Sequence, residues 1–255
     1  MNRILFETDE IQDGIATFGG ERAEHVMNVL HGEVGQILKT GEINGPIGTG
    51  EILSIEQSNN CKISVRCSHT EKSILPWIDL ILAPPRPRVM KRLLSQLATM
   101  GVGRIFLVGA KKVEKDFWGA TLLKPVNYRP LFIDGLMQAG TSILPTLETR
   151  RNFRKFVREE LDALWPEARR IVAHPYGAEE DVRRETEDES HGLKSNVSSP
   201  RILLAIGPEG GWTDEEVALL EEHGFTRYSL GSRILRTDTA TIALLAQLMK
   251  EFDKC

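Results

Sequence analysis

The pattern of hydrophobic and polar positions divides the chain into two parts with different rhythms. Residues 1–72 contain short apolar segments punctuated by glycine, and these predict strands at NRILF, GQILKT, GTGEILSI and CKISVRC. One helical stretch, GERAEHVMNVLH, interrupts them. This profile is typical of a small barrel-like β domain. The segment TEKSILP at 70–76 is expected to link that domain to the rest of the chain.

From residue 73 onward, strand patterns alternate with helical patterns. The predicted strands are continuous apolar runs at 77–84, 104–110, 169–175, 201–208 and 226–231. Helical patterns fall near 88–100, 124–140, 152–164, 214–223 and 239–253. This alternation predicts an α/β domain over residues 73–255, with a parallel sheet covered on both faces. Residues 178–200 have almost no large apolar side chains and are interpreted as a mobile surface insertion.

Composition and charge narrow the function classes. A chain of 255 residues with 41% apolar residues is long enough to bury a core. Its net charge of −4 argues against a basic surface over the whole protein, so nucleic-acid binding would need local patches of positive charge. The segment MNRILFETDE is too polar for a secretory signal, and no apolar run reaches ~18 residues, so we expect no membrane span. The cysteines, at 61, 67 and 255, form no CxxC pair, which favours the cytoplasm and predicts no metal site.

The segment LLAIGPEGGWTDEEVALL at 203–220 contains an unusual turn. An apolar strand runs into Gly-Pro-Glu-Gly-Gly, and a helix then starts at Thr213 with three carboxylates in its first turn, which predicts a capping box. Those carboxylates occupy the positive pole of the helix, and neither GK[ST] nor GxGxxG occurs at this site. Both observations argue against a phosphate-binding nucleotide enzyme. The loop therefore predicts close backbone approach to a ligand that is not strongly anionic.

Three predicted strands end in glycine or proline turns: AHPYG at 173–177, AIGPEGG at 205–211 and SLGSRILRTDTA at 229–240. In open α/β sheets, ligands bind outside the carboxyl ends of the strands. The third turn contains Ile234 and Leu235, an apolar pair in what should be an exposed connection. The pair is either part of the core, with Thr237 or Asp238 as a helix N-cap, or the wall of a flat ring pocket. The pattern alone leaves both interpretations open.

Two of these loops carry a family resemblance. AIGPEGGWTDEEV followed by LGSRILRTDTA resembles the paired signature of the bacterial 16S rRNA uracil-N3 methyltransferases, members of the SPOUT superfamily. Weaker similarity extends to HVMNVL, MGVGRIFLV, MQAG…LP and AHP. The resemblance implies a SPOUT-type parallel sheet with a C-terminal trefoil knot, an N-terminal PUA-like β-barrel and a homodimer. It also implies S-adenosyl-L-methionine as the cofactor, and an acidic helix start is compatible with this sulfonium cation.

The resemblance also implies functional residues, carried over motif by motif. We expect Arg236 to stabilise the oxygens of a uracil anion or a phosphate, and Glu209 to accept the N3 proton. The alternatives are that Arg236 pairs with Asp238 and that Glu209 orders the glycine loop. His174 is interpreted as a satisfied strand-end histidine rather than a base. The implied cofactor-binding residues are His174, Pro175, Ile206, Gly207, Gly210, Gly211, Leu230, Gly231, Ile234, Leu235, Arg236 and Thr239.

The substrate is expected to be ribosomal RNA or the small ribosomal subunit, which requires local positive charge. The segment RRNFRKFVR at 150–158 is either part of that surface or a solvated helix face. His31 and Thr141 stand where the family usually has arginine, so two alternatives stay open: a different RNA target, or a noncatalytic RNA-binding scaffold. The candidate RNA-binding residues are Arg3, Arg22, His31, Arg86, Arg88, Lys91 and Arg92.

Overall fold

The computed structural model describes residues 3–56, 61–176 and 201–252. The insertion predicted at 178–200 lies outside the described residues. These residues form two compact units, each built around a sheet of its own.

The first unit contains the residues up to Pro76 together with 94–99 and 125–145. Its sheet has the strand order β1-β4-β5-β6-β3-β2. Helix α1 packs on it by burying Ala23 and Val26 in a core with Phe6, Phe18 and Ile52. The elements are β1 Ile4–Phe6, β2 Ile11–Gln12, β3 Ile15–Phe18, α1 Gly20–Asn28, β4 Ile37–Glu42, β5 Ile47–Glu56 and β6 Lys62–Glu71.

The hairpin of β2 and β3 was not predicted from the sequence. Asp13 and Gly14 connect the two strands with φ angles of 50° and 76°, and Ile11 pairs with Ala16 across them. Asp-Gly between short apolar segments is a strong signal for a two-residue hairpin, because such turns need positive φ at both central positions. The signal was therefore present in the sequence.

The second unit contains residues 77–93, 100–124 and those from 146 onward. All neighbouring strands of its sheet run parallel, in the order β12-β10-β11-β7-β8-β9. The predicted α/β fold with a parallel sheet is confirmed. The carboxyl ends of these strands consequently lie at one edge of the sheet. The strands are β7 Ile78–Leu82, β8 Val102–Val108, β9 Thr146–Arg150, β10 Arg169–Ala173, β11 Ile202–Ile206 and β12 Thr226–Tyr228.

Helices cover this sheet and bury its apolar strands. Phe106 of β8 stacks on Phe156 with ring centroids 5.3 Å apart and meets Trp165 edge-on at 4.9 Å. The single helix expected at 152–164 is two short helices, and β9 was not predicted. The remaining helices of the chain are α2 Pro87–Thr99, α4 Phe153–Glu159, α5 Leu161–Leu164, α6 Asp214–Glu222 and α7 Thr237–Phe252, together with α3 Pro125–Ala139, which belongs to the first unit.

Asp79 is a buried charge inside the otherwise apolar strand β7. Its two carboxylate oxygens accept hydrogen bonds from Arg104 Nε at 2.8 Å, Arg201 Nη2 at 2.7 Å and Trp165 Nε1 at 2.7 Å. A buried carboxylate is tolerated when it is paired and fully hydrogen-bonded. The network therefore fastens the amino-terminal ends of the central strands, opposite the edge where ligands are expected.

Candidate functional site

The loops that follow β10, β11 and β12 enclose one cleft of about 490 Å³. These three strands are neighbours in the sheet, so parallel register brings their carboxyl ends together. The cleft lies within the second unit, and its volume is in the range of small-molecule sites. The three turns singled out in the sequence therefore surround one space.

Hydrogen bonds between the loops fix the shape of the cleft. The His174 N–H donates to the Tyr228 carbonyl at 3.0 Å, which joins the first loop to the third. Ser229 Oγ lies 3.4 Å from the Pro175 carbonyl and reinforces that junction. Thr237 Oγ1 donates to the Gly207 carbonyl at 3.4 Å, linking the start of α7 to the loop after β11. The walls are thus tied to one another by backbone groups as well as by packing.

The glycine loop needs its glycines at specific positions. Gly211 has φ +70°, a conformation that other residues rarely adopt, and its N–H donates to the Pro208 carbonyl at 2.8 Å. A Cβ on Gly207 would lie 3.0 Å from Cδ1 of Trp212. Lys112 Nζ donates to the Gly210 carbonyl at 2.7 Å. The loop is therefore held by its own turn, by close packing and by a lysine from the loop after β8.

The predicted capping box at the start of α6 is confirmed. Glu216 Oε2 accepts from the Thr213 N–H at 2.9 Å, and Thr213 Oγ1 accepts from the Glu216 N–H at 3.4 Å. Glu216 Oε1 also accepts from the Lys111 N–H at 2.7 Å. This buried carboxylate therefore joins the start of α6 to the loop after β8.

A comparison with protein families assigns the region that contains the cleft. The model of the RNA methyltransferase domain matches residues 71–249, which include every loop of the cleft. The chain belongs to the RNA methyltransferase family. The membership predicted from the two loop motifs is thereby confirmed.

Relatives of this RNA methyltransferase cover two thirds of the chain or more. It is 28% identical over 252 residues to the ribosomal RNA small subunit methyltransferase E of Treponema pallidum, across 98% of this chain and 91% of the relative. It is 42% identical over 178 residues to the protein of that name from Mesomycoplasma hyopneumoniae, across 68% and 70% of the two chains. A methyltransferase from Legionella pneumophila, solved with its bound cofactor SAM, superposes with a TM-score of 0.71 at 26% identity, covering 98% and 97%.

Most of the residues implied as cofactor ligands lie in the cleft of the methyltransferase. Arg236 and Thr239 are implied ligands that do not line it, although both belong to the segment at the start of α7. Whether any of these residues binds the cofactor stays a prediction. The implied ligands that line the cleft are His174, Pro175, Ile206, Gly207, Gly210, Gly211, Leu230, Gly231, Ile234 and Leu235.

The interpretation of Ile234 and Leu235 as core residues is wrong. Ile234 is 75% exposed and Leu235 is 37% exposed, and both line the cleft. The accompanying interpretation of Thr237 or Asp238 as the N-cap is not supported either, because α7 begins at Thr237 and the Arg236 carbonyl accepts its first helical hydrogen bond, from the Ala240 N–H at 2.8 Å. The pair therefore forms an apolar wall, as the pocket interpretation requires.

The two candidate catalytic residues differ in their surroundings. Arg236 is exposed, and its carbonyl accepts from the Ala240 N–H at 2.8 Å. Glu209 lines the cleft, and its carboxylate lies 3.7 Å from Arg86 Nε. Among the described residues, no backbone N–H of the glycine loop donates to Glu209. The loop-ordering alternative for Glu209 therefore lacks the contacts on which it depends.

Asp238 does not pair with Arg236 in the way the alternative required. Its carboxylate accepts from Arg92 Nη2 at 2.6 Å. Burial alone would raise the pKa of Asp238, but hydrogen bonds from Arg92 and the Thr239 N–H, together with the charges of Arg92 and Arg236, bring that pKa below its ordinary value. The ion pair of this carboxylate is thus with Arg92.

His174 lies at the cleft as a satisfied side chain. Its Nδ1 lies 2.7 Å from the Tyr176 carbonyl and 3.3 Å from the Tyr176 nitrogen. Its backbone N–H is used by Tyr228. These contacts favour the interpretation of His174 as a strand-end histidine over a catalytic base.

The candidate RNA-binding residues are either exposed or engaged in contacts within the first unit. Arg86, Arg88, Lys91 and Arg92 are exposed at the start of α2. In the first unit, the guanidinium group of Arg3 donates to three backbone carbonyls, those of Gly140, Thr40 and Gly48. Such internal use favours a structural role for Arg3 over RNA binding.

Arg22 and His31 also belong to the first unit. Arg22 forms a bidentate pair with Glu10, and its guanidinium carbon lies 5.6 Å from the ring centroids of both Phe6 and Phe18. This arrangement favours a structural role for Arg22. His31 is exposed and has φ +50°, so it presents its side chain from a turn.

Several cleft residues were missed in the sequence. Trp212 follows the glycine loop directly, is 4% exposed and stacks on Phe153 with centroids 5.2 Å apart. Its Nε1 has no hydrogen-bond partner among the described residues. The position after GPEGG could have pointed to Trp212, whereas Lys112 comes from a distant loop and gave no signal. Further lining residues outside the prediction are Tyr176, Tyr228, Arg233 and Thr237.

The described residues have neither a metal-binding cluster nor a membrane-spanning helix. They contain no group of three or more histidine, cysteine or acidic residues placed to hold a metal ion. Within the same residues, every helix is too short or too polar to cross a membrane.

Proposed function

We propose that this RNA methyltransferase transfers a methyl group from S-adenosyl-L-methionine to N3 of a uridine in 16S ribosomal RNA of the small subunit. One observation carries the proposal: the loops bearing both family motifs form one cleft of about 490 Å³ with a third strand-end turn. The named relatives act, by their names, on ribosomal RNA of the small subunit. A structural neighbour at 26% identity holds SAM.

The cleft residues fit this cofactor. Gly207 and Gly210 let the loop pack closely against Trp212 and Lys112, and Ile234 and Leu235 supply an apolar wall suited to a flat ring. Glu209 and Asp214 line the cleft with carboxylates, which suit a sulfonium cation. The cofactor supplies an electrophilic methyl group, so the protein mainly needs to orient the reactants.

The chain's own residues then act on the uridine. N3 lies on the pairing edge of uracil, so the base has to be held away from its partner. The Glu209 carboxylate, which lines the cleft, accepts the N3 proton. The Arg236 guanidinium stabilises the negative charge that develops on the uracil oxygens. Asp238 forms its ion pair with Arg92 and not with Arg236, which supports that role.

The chain topology, the oligomeric state, the domain division and the cellular location are part of the same proposal. A trefoil knot in the C-terminal region is supported by the path of the chain, because the segment after edge strand β12 returns to Gly207 beyond β11. A homodimer, which the family resemblance implies, is part of the same proposal. The six-stranded sheet of the first unit supports a PUA-like barrel over residues 1–72, followed by the methyltransferase domain over 73–255. The free thiols of Cys61 and Cys67 support a cytoplasmic location.

Mapping of modified nucleosides tests the proposal. Ribosomal RNA from cells with and without the protein is digested and compared by mass spectrometry, and purified protein is added to small subunits from the deficient cells. We expect one N3-methyluridine of 16S RNA to disappear and to be restored with the methyl donor. An unchanged map together with cofactor binding by calorimetry would point to another RNA. No cofactor binding would favour the noncatalytic scaffold.

A further inference from the structure

A second cavity opens on the same edge of the parallel sheet as the cleft. It has a volume of about 430 Å³ and is lined by residues of the loops after β8 and β9 and of the start of α6. The loop before α6 separates the two spaces: Gly211 and Trp212 line the cleft, whereas Thr213 and Glu216 line the second cavity. The two cavities are therefore neighbours within one unit.

The second cavity presents two cations that the protein does not neutralise. Three cations line it, and of these Arg154 is paired with Glu215. Lys111 and Arg151 have no carboxylate within 4.0 Å in the part of the chain that the structure describes. The remaining acidic residue, Glu216, is buried and occupied by the N–H groups of Lys111 and Thr213.

An aromatic ring lies beside these cations. The guanidinium carbon of Arg151 is 5.6 Å from the centroid of the Trp118 ring, and Arg151 Nη2 lies 3.4 Å from the Trp118 carbonyl. Trp118 is only partly buried. Arginine planes and aromatic rings are the surfaces on which unpaired RNA bases stack, while cations hold the phosphates.

The backbone behind these side chains is fixed. Lys111 N–H donates to Glu216 at 2.7 Å, and a Cβ on Gly109 would lie 2.0 Å from the Arg151 carbonyl, so the two loops are packed closely. Two cations that extend from a fixed backbone, one of them against an aromatic ring, form a better phosphate site than cations on a mobile loop.

We infer that this second cavity binds a nucleotide that flanks the methylated one, with its phosphate on Lys111 and Arg151. The inference rests on the proposed function, because a base inserted into the cleft stays covalently attached to neighbours that have to lie close by. A small anion that is not part of an RNA strand would have no reason to bind in a cavity next to the cleft. An RNA strand uses both cavities and the boundary between them.

A double variant tests the inference. Lys111→Ala/Arg151→Ala removes both cations, and its affinity for a small-subunit ribosomal RNA transcript is measured by filter binding without cofactor at several salt concentrations. Affinity should fall at least about tenfold, and the slope of log K against log salt should decrease by about 1 per lost phosphate contact. The cofactor dissociation constant from calorimetry should not change.

Lys124→Ala/Lys250→Ala is the matched control. It removes the same charge from two exposed positions of the second unit that line neither cavity. We expect at most a small loss of RNA affinity from this control, and Lys111→Arg/Arg151→Lys should keep the salt slope. Equal losses in the cavity variant and the control, or no loss in the cavity variant, would overturn the inference. A wild-type protein that binds the RNA but neither binds the cofactor nor transfers a methyl group would overturn the proposed function instead.

Discussion

Arg92 donates from Nη2 to Oδ2 of Asp238 at 2.6 Å, across 146 positions of sequence. Asp238 is two residues beyond Arg236 and is the nearest carboxylate in sequence to that arginine. Because Arg92 holds Asp238, the guanidinium group of Arg236 has no ion pair among the described residues. An arginine kept free beside a cleft is available to a substrate.

The first prediction concerns Arg236 itself. Arg236→Ala should lower methyl transfer by about 10²–10³-fold, because a charge that stabilises the reacting anion is lost. The cofactor dissociation constant, measured by calorimetry, should stay within about threefold, since Arg236 does not line the cleft. Arg227→Ala is the control: Arg227 pairs with Glu221 at 2.6 Å, and its removal makes the same change of charge. Near-normal turnover of Arg236→Ala would remove this residue from the mechanism.

The second prediction tests the Arg92–Asp238 pair. Arg92→Ala should reduce transfer by about tenfold, because the released Asp238 carboxylate would compete for Arg236. Adding Asp238→Asn should recover most of the activity, since the amide cannot form that ion pair. Steady-state kinetics of the wild type, both single variants and the double variant give the coupling. If Asp238→Asn gives no recovery, Arg92 acts through a direct contact with RNA.

The third prediction concerns the glycine loop. Gly207→Ala places a Cβ 3.0 Å from Cδ1 of Trp212, so either the loop or the indole ring has to shift. We expect at least about a tenfold loss of cofactor affinity and a loss of about 1–3 kcal/mol in the free energy of unfolding. Trp212→Phe in the same protein should restore part of both, because a smaller ring leaves room for the methyl group.

Gly119→Ala is the control for this glycine. An added Cβ there meets nothing within 4 Å, and Gly119 has no positive φ. Calorimetry and urea unfolding of the control should match the wild type. Full cofactor binding by Gly207→Ala would show that this part of the cleft is not in contact with the cofactor.

The sequence allowed the central part of the fold to be predicted because its strands are continuous apolar runs. In contrast, β9 reads TLETR, and as an edge strand it is polar enough to be taken for a loop. The grouping of the three turns also followed from sequence, because carboxyl ends of parallel strands share an edge. The contacts of Arg92, Lys112 and Arg151 could not be predicted, since each partner lies on a distant element and no local pattern encodes the pairing.

The fourth prediction separates a structural from an RNA-binding role for Arg22. The hydrogen bonds from Arg22 are the main reason that the pKa of Glu10 is lowered in the folded protein. A carboxyl group whose pKa is lower in the folded than in the unfolded protein stabilises the fold at pH values above its ordinary pKa, about 4.3 for glutamate. This contribution is lost as the pH falls through the pKa that the group has in the folded protein. Glu10→Gln should therefore lower the free energy of unfolding by about 1–2 kcal/mol at pH 7 and by less at pH 3, as measured with urea.

Glu51→Gln is the control for this pH dependence. Glu51 lies 3.4 Å from Arg66 in the same unit, but both side chains are exposed and such pairs contribute little to stability. Its unfolding curves should therefore match the wild type at both pH values. If Glu10→Gln also matches the wild type at pH 7, the Arg22–Glu10 pair does not stabilise the first unit. Arg22 then returns to the RNA-binding candidates, because its guanidinium group could leave Glu10 for a phosphate without loss to the fold.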